Sequence, residues 1–524
     1  MPALPLVLEA CGSTKGNLPV SPGSTPSPGS TVRPASNQEL TIGVPKDEYV
    51  ASGLKSYVGM YPLNANIYEP LVRLDPDYSI SPQLATAWKQ VGANTVRFHL
   101  RPGVTFHDGS AFGATDVKYT FDRIASGGGG LVGLGPSSTV VVDNLTVDVT
   151  PMAPNLRLVE QVVHPEYSIL KAGTVPGVKG PGTGPFRWVS YVPQSKVVVK
   201  ANPTYWGDKA KASGLTFEFI PDATSRGLAL AAGQLDVAAQ LARPSVASLK
   251  TRQGVDIVSA PVGAYSAMYV NIHGKAPYTI GADPAVRLAL QTGIDRHALI
   301  QSVFNGLADP GHTLLPAPLL GSSASLIKGF SYDPARAKAS LDSAGWKVGS
   351  GGIRSRNGKS LRLVLINGFP DAAANAGVPE FVQASLHGIG IDVTIKSEPD
   401  SNSYSAVLGK GAGDLFLETG SQNDANPAFL PEVLFYGKPP SQYSKLFDPG
   451  PSFDAAISAA LAATSTAAVD RDVAQAIHQV EDVAMVFIEL AGIFLIFGLR
   501  SDIHGLVPNP SDVNQSWASV YRGG

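Results

Sequence analysis

The sequence predicts a mixed α/β protein divided into several domains, and three observations predict it. At 524 residues the chain exceeds what one hydrophobic core sustains; at roughly 150 residues per domain it holds about three. Short runs in which apolar residues alternate recur between longer runs with apolar residues at helical spacing. Apolar residues make up 44% and charged residues 16%, and 55 glycines and 42 prolines supply the turns between runs.

Taken in order, residues 40–44 form a first strand. Residues 67–74 open a second unit that continues through 82–88 into Val96–Leu100, where Val96, Phe98 and Leu100 alternate with Arg97, His99 and Arg101. Pro102-Gly103 and Asp108-Gly109 are turn dipeptides around a short strand at 104–106. Thr115 is placed to cap the next helix, with Asp116 in its first turn near the positive end of the dipole. Strand runs follow at 140–142, 145–149 and 157–159. Gly and Pro between 179 and 185 then break regular structure. Strands at 196–200 and 215–220 precede a helix at 223–232 that stops at Gly233. Beyond a strand at 265–272, helices are expected at 283–304, 334–344, 379–387 and 455–485, and strands at 361–366 and 391–395. Residues 483–499 are almost wholly apolar but contain Glu489, costly in lipid, so they read as a helix end running into a core strand and not as a membrane span.

Forty basic and forty-two acidic residues leave a formal charge of -2, which supplies no basic face for a nucleic acid. The single cysteine, Cys11, excludes a disulfide framework. It follows a short apolar run and precedes Gly12-Ser13, which resembles the lipobox whose cysteine is acylated in bacterial lipoproteins. Glu9 stands where a small residue is usual, and no Lys or Arg precedes Lys15, as in a signal truncated at its start. Residues 1–38 are thus expected to be a shortened leader followed by a disordered Ser/Pro/Gly tether.

No reaction centre emerges. The nine histidines show no metal-site spacing, and His107 reads as a turn residue. Gly128 to Gly133 satisfies GxGxxG but follows a helix instead of a strand, so it is a loop. Phosphate loops and nucleophile elbows are absent.

The chain from about 39 to 521 resembles family 5 of the bacterial extracellular solute-binding proteins, the dipeptide, oligopeptide and nickel-binding group that serves ABC importers. The resemblance rests on Tyr68-Glu69-Pro70-Leu71-Val72, on Pro82 to Trp88, and on Phe98 to Ile124 with its Phe-His-Asp-Gly core. Gly182-Thr183-Gly184-Pro185-Phe186, Asn202-Pro203 with Tyr205-Trp206, and Gly233 to Asp236 continue it. Val286-Arg287, Ile294-Asp295-Arg296, Tyr332 to Trp346 and Gly388 to Ile391 complete the order.

The resemblance implies a periplasmic-binding-protein-like type II fold, two large lobes with a cleft plus a small inserted domain. Lobe I would comprise 39–62, 183–270 and 488–524, the small domain 63–182, and lobe II 271–487. It further implies a monomeric, non-enzymatic binder without cofactor or metal of its own. Such a protein takes peptide or a similar small polar solute to an ABC permease, from the outer face of the cytoplasmic membrane or the periplasm. A regulator or assembly factor reusing the scaffold, and a binder of oligosaccharide or metal chelate, are the alternatives.

Ligand contacts are sought where lobes face each other. The 180–186 loop, with Thr183 and Gly184, offers free backbone N–H groups or, equally, hinge glycines. Tyr269 and Asn271 supply stacking and amide hydrogen bonds, or a cross-strand pair. Tyr61, Asn64 and Asn66 line the first lobe's rim or form a plain polar loop. In peptide-binding members the stretch matching 414–427 carries an aspartate for the peptide's α-ammonium. Counting back from Pro427 puts Asn423 there, beside Asp424, with Glu418, Thr419 and Gln422 close by. A neutral amide lacks the charge-assisted bond, so a sugar or an uncharged peptide derivative stands beside peptide as cargo. No histidine in this stretch supports nickel.

Overall fold

A computed structural model describes residues 35, 37–46, 63–127, 130, 132–153, 155–174, 180–311, 313–349, 351–368, 375–422, 424–437, 441–511 and 514–524. Cys11 and its leader, Tyr61 and Asn423 lie outside these residues. Asn64 opens a short 3-10 turn, Asn64–Asn66, of which its side chain is not described.

One eleven-stranded sheet runs through the molecule. Across it stand Asp392–Ser397, Arg362–Asn367, Leu415–Ser421, Val255–Val270, Phe487–Arg500, Val237–Ala238, Glu39–Val44, Gly214–Phe219, Lys196–Ala201 and Phe186–Val192; Ala308–Pro310 also pairs with Phe487–Arg500. Two long antiparallel strands, Val255–Val270 and Phe487–Arg500, carry the sheet from one half to the other. Their register shifts between Pro261 and Tyr265 and again between Ser266 and Ala267, bulges that bend and twist the pair locally. That seam organises everything else. On one side Glu39–Val44 runs parallel to Gly214–Phe219 and Val237–Ala238. On the other, Arg362–Asn367 runs parallel to Asp392–Ser397 and Leu415–Ser421. Ala238 pairs with Gly498 and Leu241 N–H reaches Ile496 O, whereas Leu415–Ser421 descends from Val270 to Ala264. The carboxyl ends of both parallel groups therefore point at the seam.

Side-chain alternation sorts the second half into two cores. Met268, Val270, Leu363, Leu365, Leu415 and Leu417 face helices Pro284–Gly293, Pro334–Ser343 and Val378–His387. Tyr265, Ala267, Tyr269, Ile366 and Phe416 face Phe429–Phe435, Pro451–Ala462 and Thr466–His478. In the first half Leu40, Ile42, Val44, Phe217, Phe497 and Trp517 share one core.

A separate four-stranded sheet, ordered Ala85–Gln90, Val96–Leu100, Thr146–Val149 and Thr139–Asp143, carries helix Ala114–Ser126. Phe98, Leu100, Val117, Phe121 and Val147 fill its core. That core is completed from across the molecule by Leu319 and Ala425, while Leu156 packs into the core around Tyr269.

Several expectations about local structure need correction. The helix expected to be capped by Thr115 starts at Ala114 instead, and Asp116 Oδ2 accepts the Gly113 N–H at 2.9 Å. Residues 157–159 lead into a helical turn, Leu158–Gln161, and not a strand; a two-residue apolar run does not distinguish the periods. Residues 104–106 retain only a bridge, Thr105 to Ala111. The helix expected over 283–304 is two, Pro284–Gly293 and Arg296–Ser302, because Asp295 caps the second through Ala298 N–H. Residues 483–499 do leave a helical turn, Gln479–Val483, for the buried strand Phe487–Arg500. Among the described residues no helix is long and apolar enough to cross a membrane.

Candidate ligand cleft

Two places gather the residues singled out from sequence: a joint beneath the small sheet and the cleft at the seam. The joint is built around Glu69, a carboxylate 1% exposed. Its Oε1 accepts Tyr205 O–H at 2.7 Å and the Gln83 side-chain N–H, and its Oε2 accepts Trp206 Nε1–H at 2.9 Å. Burial raises its pKa, and these donors pull the other way. His107 closes the joint on its other side. Its Nδ1 accepts Gly182 N–H at 3.2 Å and its Nε2 lies 3.0 Å from Gly184 O, and burial holds the imidazole below its ordinary pKa.

The free amides expected at 180–186 are therefore corrected. Gly184 N–H is donated to Ile67 O at 3.0 Å, and its carbonyl accepts Asn202 Nδ2–H at 3.2 Å. Thr183 is fully buried beside Glu69. The glycines serve close approach: a Cβ on Gly182 would fall 1.8 Å from Ile67 O.

Tyr269 and Asn271 are likewise placed in the interior. Tyr269 meets Tyr265 hydroxyl to hydroxyl at 3.1 Å and packs against Phe435, Tyr443, Phe447 and Phe487. Asn271 donates to Gly413 O at 2.9 Å and accepts from His273 N–H, fixing the turn before Leu415. Neither side chain offers itself to a ligand.

The 414–427 stretch is closer to expectation in position. Glu418 is 7% exposed and accepts Tyr404 O–H at 3.0 Å and Tyr443 O–H at 2.8 Å. Burial pushes its pKa up to about 7 against those bonds. Thr419 pairs across the sheet with Ser266, whose hydroxyl donates to Asn375 Oδ1 at 2.6 Å. Gln422 N–H is bound to Gly263 O at 2.7 Å, inside the seam, and its Nε2 donates to Asp424 Oδ1 at 2.7 Å. Asp424 is 1% exposed, and Asn426 N–H is bound to the same Oδ1 at 2.9 Å. Burial, with the Glu166 and Glu160 carboxylates nearby, pushes its pKa up to about 7. Ala425 N–H reaches Glu160 O across the gap to the small sheet, and Arg157 there pairs with both Glu160 and Asp470.

The opposite rim carries no sequence motif. Arg226, 2% exposed, donates to Ile220 O at 2.7 Å, Pro221 O at 3.0 Å and Ala239 O at 2.8 Å, and also to Gln240 O. It staples the carboxyl ends of two parallel strands. Beyond them Val44, Pro45, Leu63, Phe217, Ala239, Gln240, Leu495, Phe497, Gln515 and Trp517 enclose a cavity of about 30 Å³. A lone arginine in a helix and a tryptophan in a polar terminal stretch carry no pattern that would have flagged them.

Buried polar atoms without a partner mark the same region: Trp517 Nε1, Asn375 Nδ2, Asn367 Oδ1, Gln422 Oε1, Asp424 Oδ2 and Tyr78 O–H. Such atoms are rare in folded proteins, where desolvation without a bond is costly. Two larger spaces lie elsewhere: about 410 Å³ behind Arg296, Glu481 and Glu489, and a groove of about 1010 Å³ outside the joint. Neither meets the carboxyl ends of both parallel groups, where open α/β sheets bind ligands.

Comparison with known proteins bears on the family and the fold. Residues 79–442 match the family model for bacterial extracellular solute-binding proteins, family 5. The chain is 27% identical over 452 residues to a glutathione-binding protein of Pectobacterium atrosepticum, covering 80% of this chain and 84% of that one. It is 27% identical over 445 residues to the nickel-binding periplasmic protein of Escherichia coli, covering 79% and 82%. Among solved structures, NikA from Brucella suis in complex with Fe(III)-EDTA superposes with a TM-score of 0.79 at 20% identity, covering 92% of this chain and 99% of that one. DppA from Helicobacter pylori in complex with the peptide STSA gives 0.70 at 22%, covering 93% and 98%.

Proposed function

We propose that this chain, which belongs to family 5 of the bacterial extracellular solute-binding proteins, captures peptide or a similar small polar solute at the seam and delivers it to an ABC permease. Its relatives are solute-binding proteins and not enzymes. In this reading Cys11 is the lipid-anchored end of the mature protein, residues 16–36 are its tether, and the molecule works as a monomer at the outer face of the cytoplasmic membrane. Residues 39–62, 183–270 and 488–524 act as lobe I, 63–182 as the small domain and 271–487 as lobe II.

The observation that carries the reading is the convergence of both parallel strand groups on one bulged seam. A ligand held there touches both halves, so its binding energy is available to shift the molecule from open to shut. Asp424 supports a cargo that brings a cation or strong donor, because its Oδ2 is buried without a partner. An arriving ammonium would favour the ionised carboxylate by a charge-assisted bond.

Thermal shift against di- to pentapeptides, oligosaccharides and metal chelates tests the proposal. A cognate solute at a hundred times its Kd stabilises the folded state by about 2.7 kcal/mol. Peptides are expected to raise the Tm, and a flat response to all three classes would remove the capture reading.

A further inference from the structure

The geometry points to a subsite in the lobe I rim, around Trp517, that takes a small apolar group ending in a hydrogen-bond acceptor, carbonyl or carboxylate, and rejects a cation. This deepens the capture reading, whose biological meaning it depends on, by naming one piece of the ligand's chemistry.

Trp517 is fixed by its neighbours. Asn66 donates to Gln515 O at 2.8 Å and accepts Trp517 N–H at 2.8 Å. Gln515 in turn bonds Asn509 N–H, Val507 O and Ser516 O. The ring is wedged edge-on against Phe217 and Phe497, with centroids 5.8 and 6.2 Å away. The indole cannot turn, and its residue is 2% exposed. Yet Nε1–H, a group that only donates, has no acceptor.

The second observation is the cavity that Trp517 lines. About 30 Å³ holds one or two water-sized groups, which suits the end of a side chain and not a whole solute. Its walls are Val44, Leu63, Leu495 and the two phenylalanines, with Gln240 and Gln515 as the polar members. Gln515 is committed to its own turn. Among the described residues no carboxylate lines the space, and the indole N–H, which only donates, gives an entering ammonium nothing to bond in place of its water.

The third is strain at the mouth. Gln240 has φ of +49°, a region costly for a residue with a Cβ, and it is held there by the Arg226 contact to its carbonyl. Such outliers concentrate at ligand sites, where the surrounding structure over-determines them.

The test uses ¹⁵N-indole spectra of the full chain, with Trp517→Phe identifying one of five tryptophan peaks. Acetamide, acetate and methylammonium are the probes. Acetamide and acetate should move the Trp517 indole proton downfield in a saturable manner, and methylammonium should leave it in place. In the same variant the affinity of any solute found by thermal shift should fall about fivefold, the worth of one neutral hydrogen bond. An indole peak unmoved by both acceptors, or moved equally by methylammonium, overturns the subsite. Peak movement without stabilisation by any solute would instead remove the capture reading and leave the subsite standing. A stabilising solute whose affinity is unchanged in Trp517→Phe would do the reverse.

Discussion

The joint and the cleft are both buried and polar, and they differ in how their polar groups are matched. At the joint Glu69 has a donor for each oxygen and His107 is bonded through both ring nitrogens, and of the joint residues named only Thr183 keeps an atom, Oγ1, without a partner. At the cleft Trp517, Asn375, Gln422 and Asp424 each keep an atom without a partner. A satisfied network specifies one arrangement of two elements. An unsatisfied one is costly alone and becomes favourable only with something added. The molecule is fixed at the joint and left to be completed at the cleft.

Three substitutions sharpen that contrast. Glu69→Ala orphans the Tyr205, Trp206 and Gln83 donors at once; at roughly 1–3 kcal/mol per orphaned group the loss is about 5 kcal/mol. Urea unfolding should show this loss, and a change under 1 kcal/mol would mean the joint is not what holds the small sheet. Asp424→Asn should act in the opposite direction and with pH. The carboxyl's folded pKa of about 7 lies above its ordinary 3.8, so its contribution is full below about pH 4 and is lost as pH rises through 7. The variant should match the parent at pH 4 and exceed it at pH 8, by on the order of 4 kcal/mol at most. A gain independent of pH would show that Asp424 is not the titrating group. Arg157→Ala, which removes the pairs to Glu160 and Asp470, should cost about 1 kcal/mol. It should also enlarge the radius of gyration of the ligand-free protein in small-angle scattering. An unchanged radius would show that this contact does not link the small sheet to the helix Thr466–His478.

The same contrast explains what the sequence disclosed. Glu69, His107, Gly182, Gly184, Asn202, Tyr205 and Trp206 sit in motifs because their partners are one another, so residue type and spacing repeat together. The fold class, the strand pattern of the small sheet and the buried strand after residue 483 were legible for the related reason that periodicity reports burial. Sites at the cleft are not written that way. Tyr269 lies on a strand entering the seam, but the side it faces depends on register, and a shift of one residue reverses it. Thr183 and Gly184 read equally as free amides or as hinge glycines, and the close packing of Gly184 against Asn66 fits the second. Trp517 gains its character from Asn66, far away in the chain, and Gln240 from an arginine on the preceding helix, and neither relation is carried by local pattern.

One further consequence follows from the apolar exchange across the gap. Leu319 and Ala425 complete the small sheet's core, and Leu156 reciprocates. If the lobes part at the seam, these side chains must meet water, so separation is opposed whether or not cargo is present. On the proposed reading the ligand-free equilibrium is then weighted toward shut, and the open fraction is what receives solute. Capture is slowed by that fraction, while a loaded molecule is slow to leak. On that same reading unloading is the demanding step, because a permease would have to supply the work of prising apart a surface that water alone does not open.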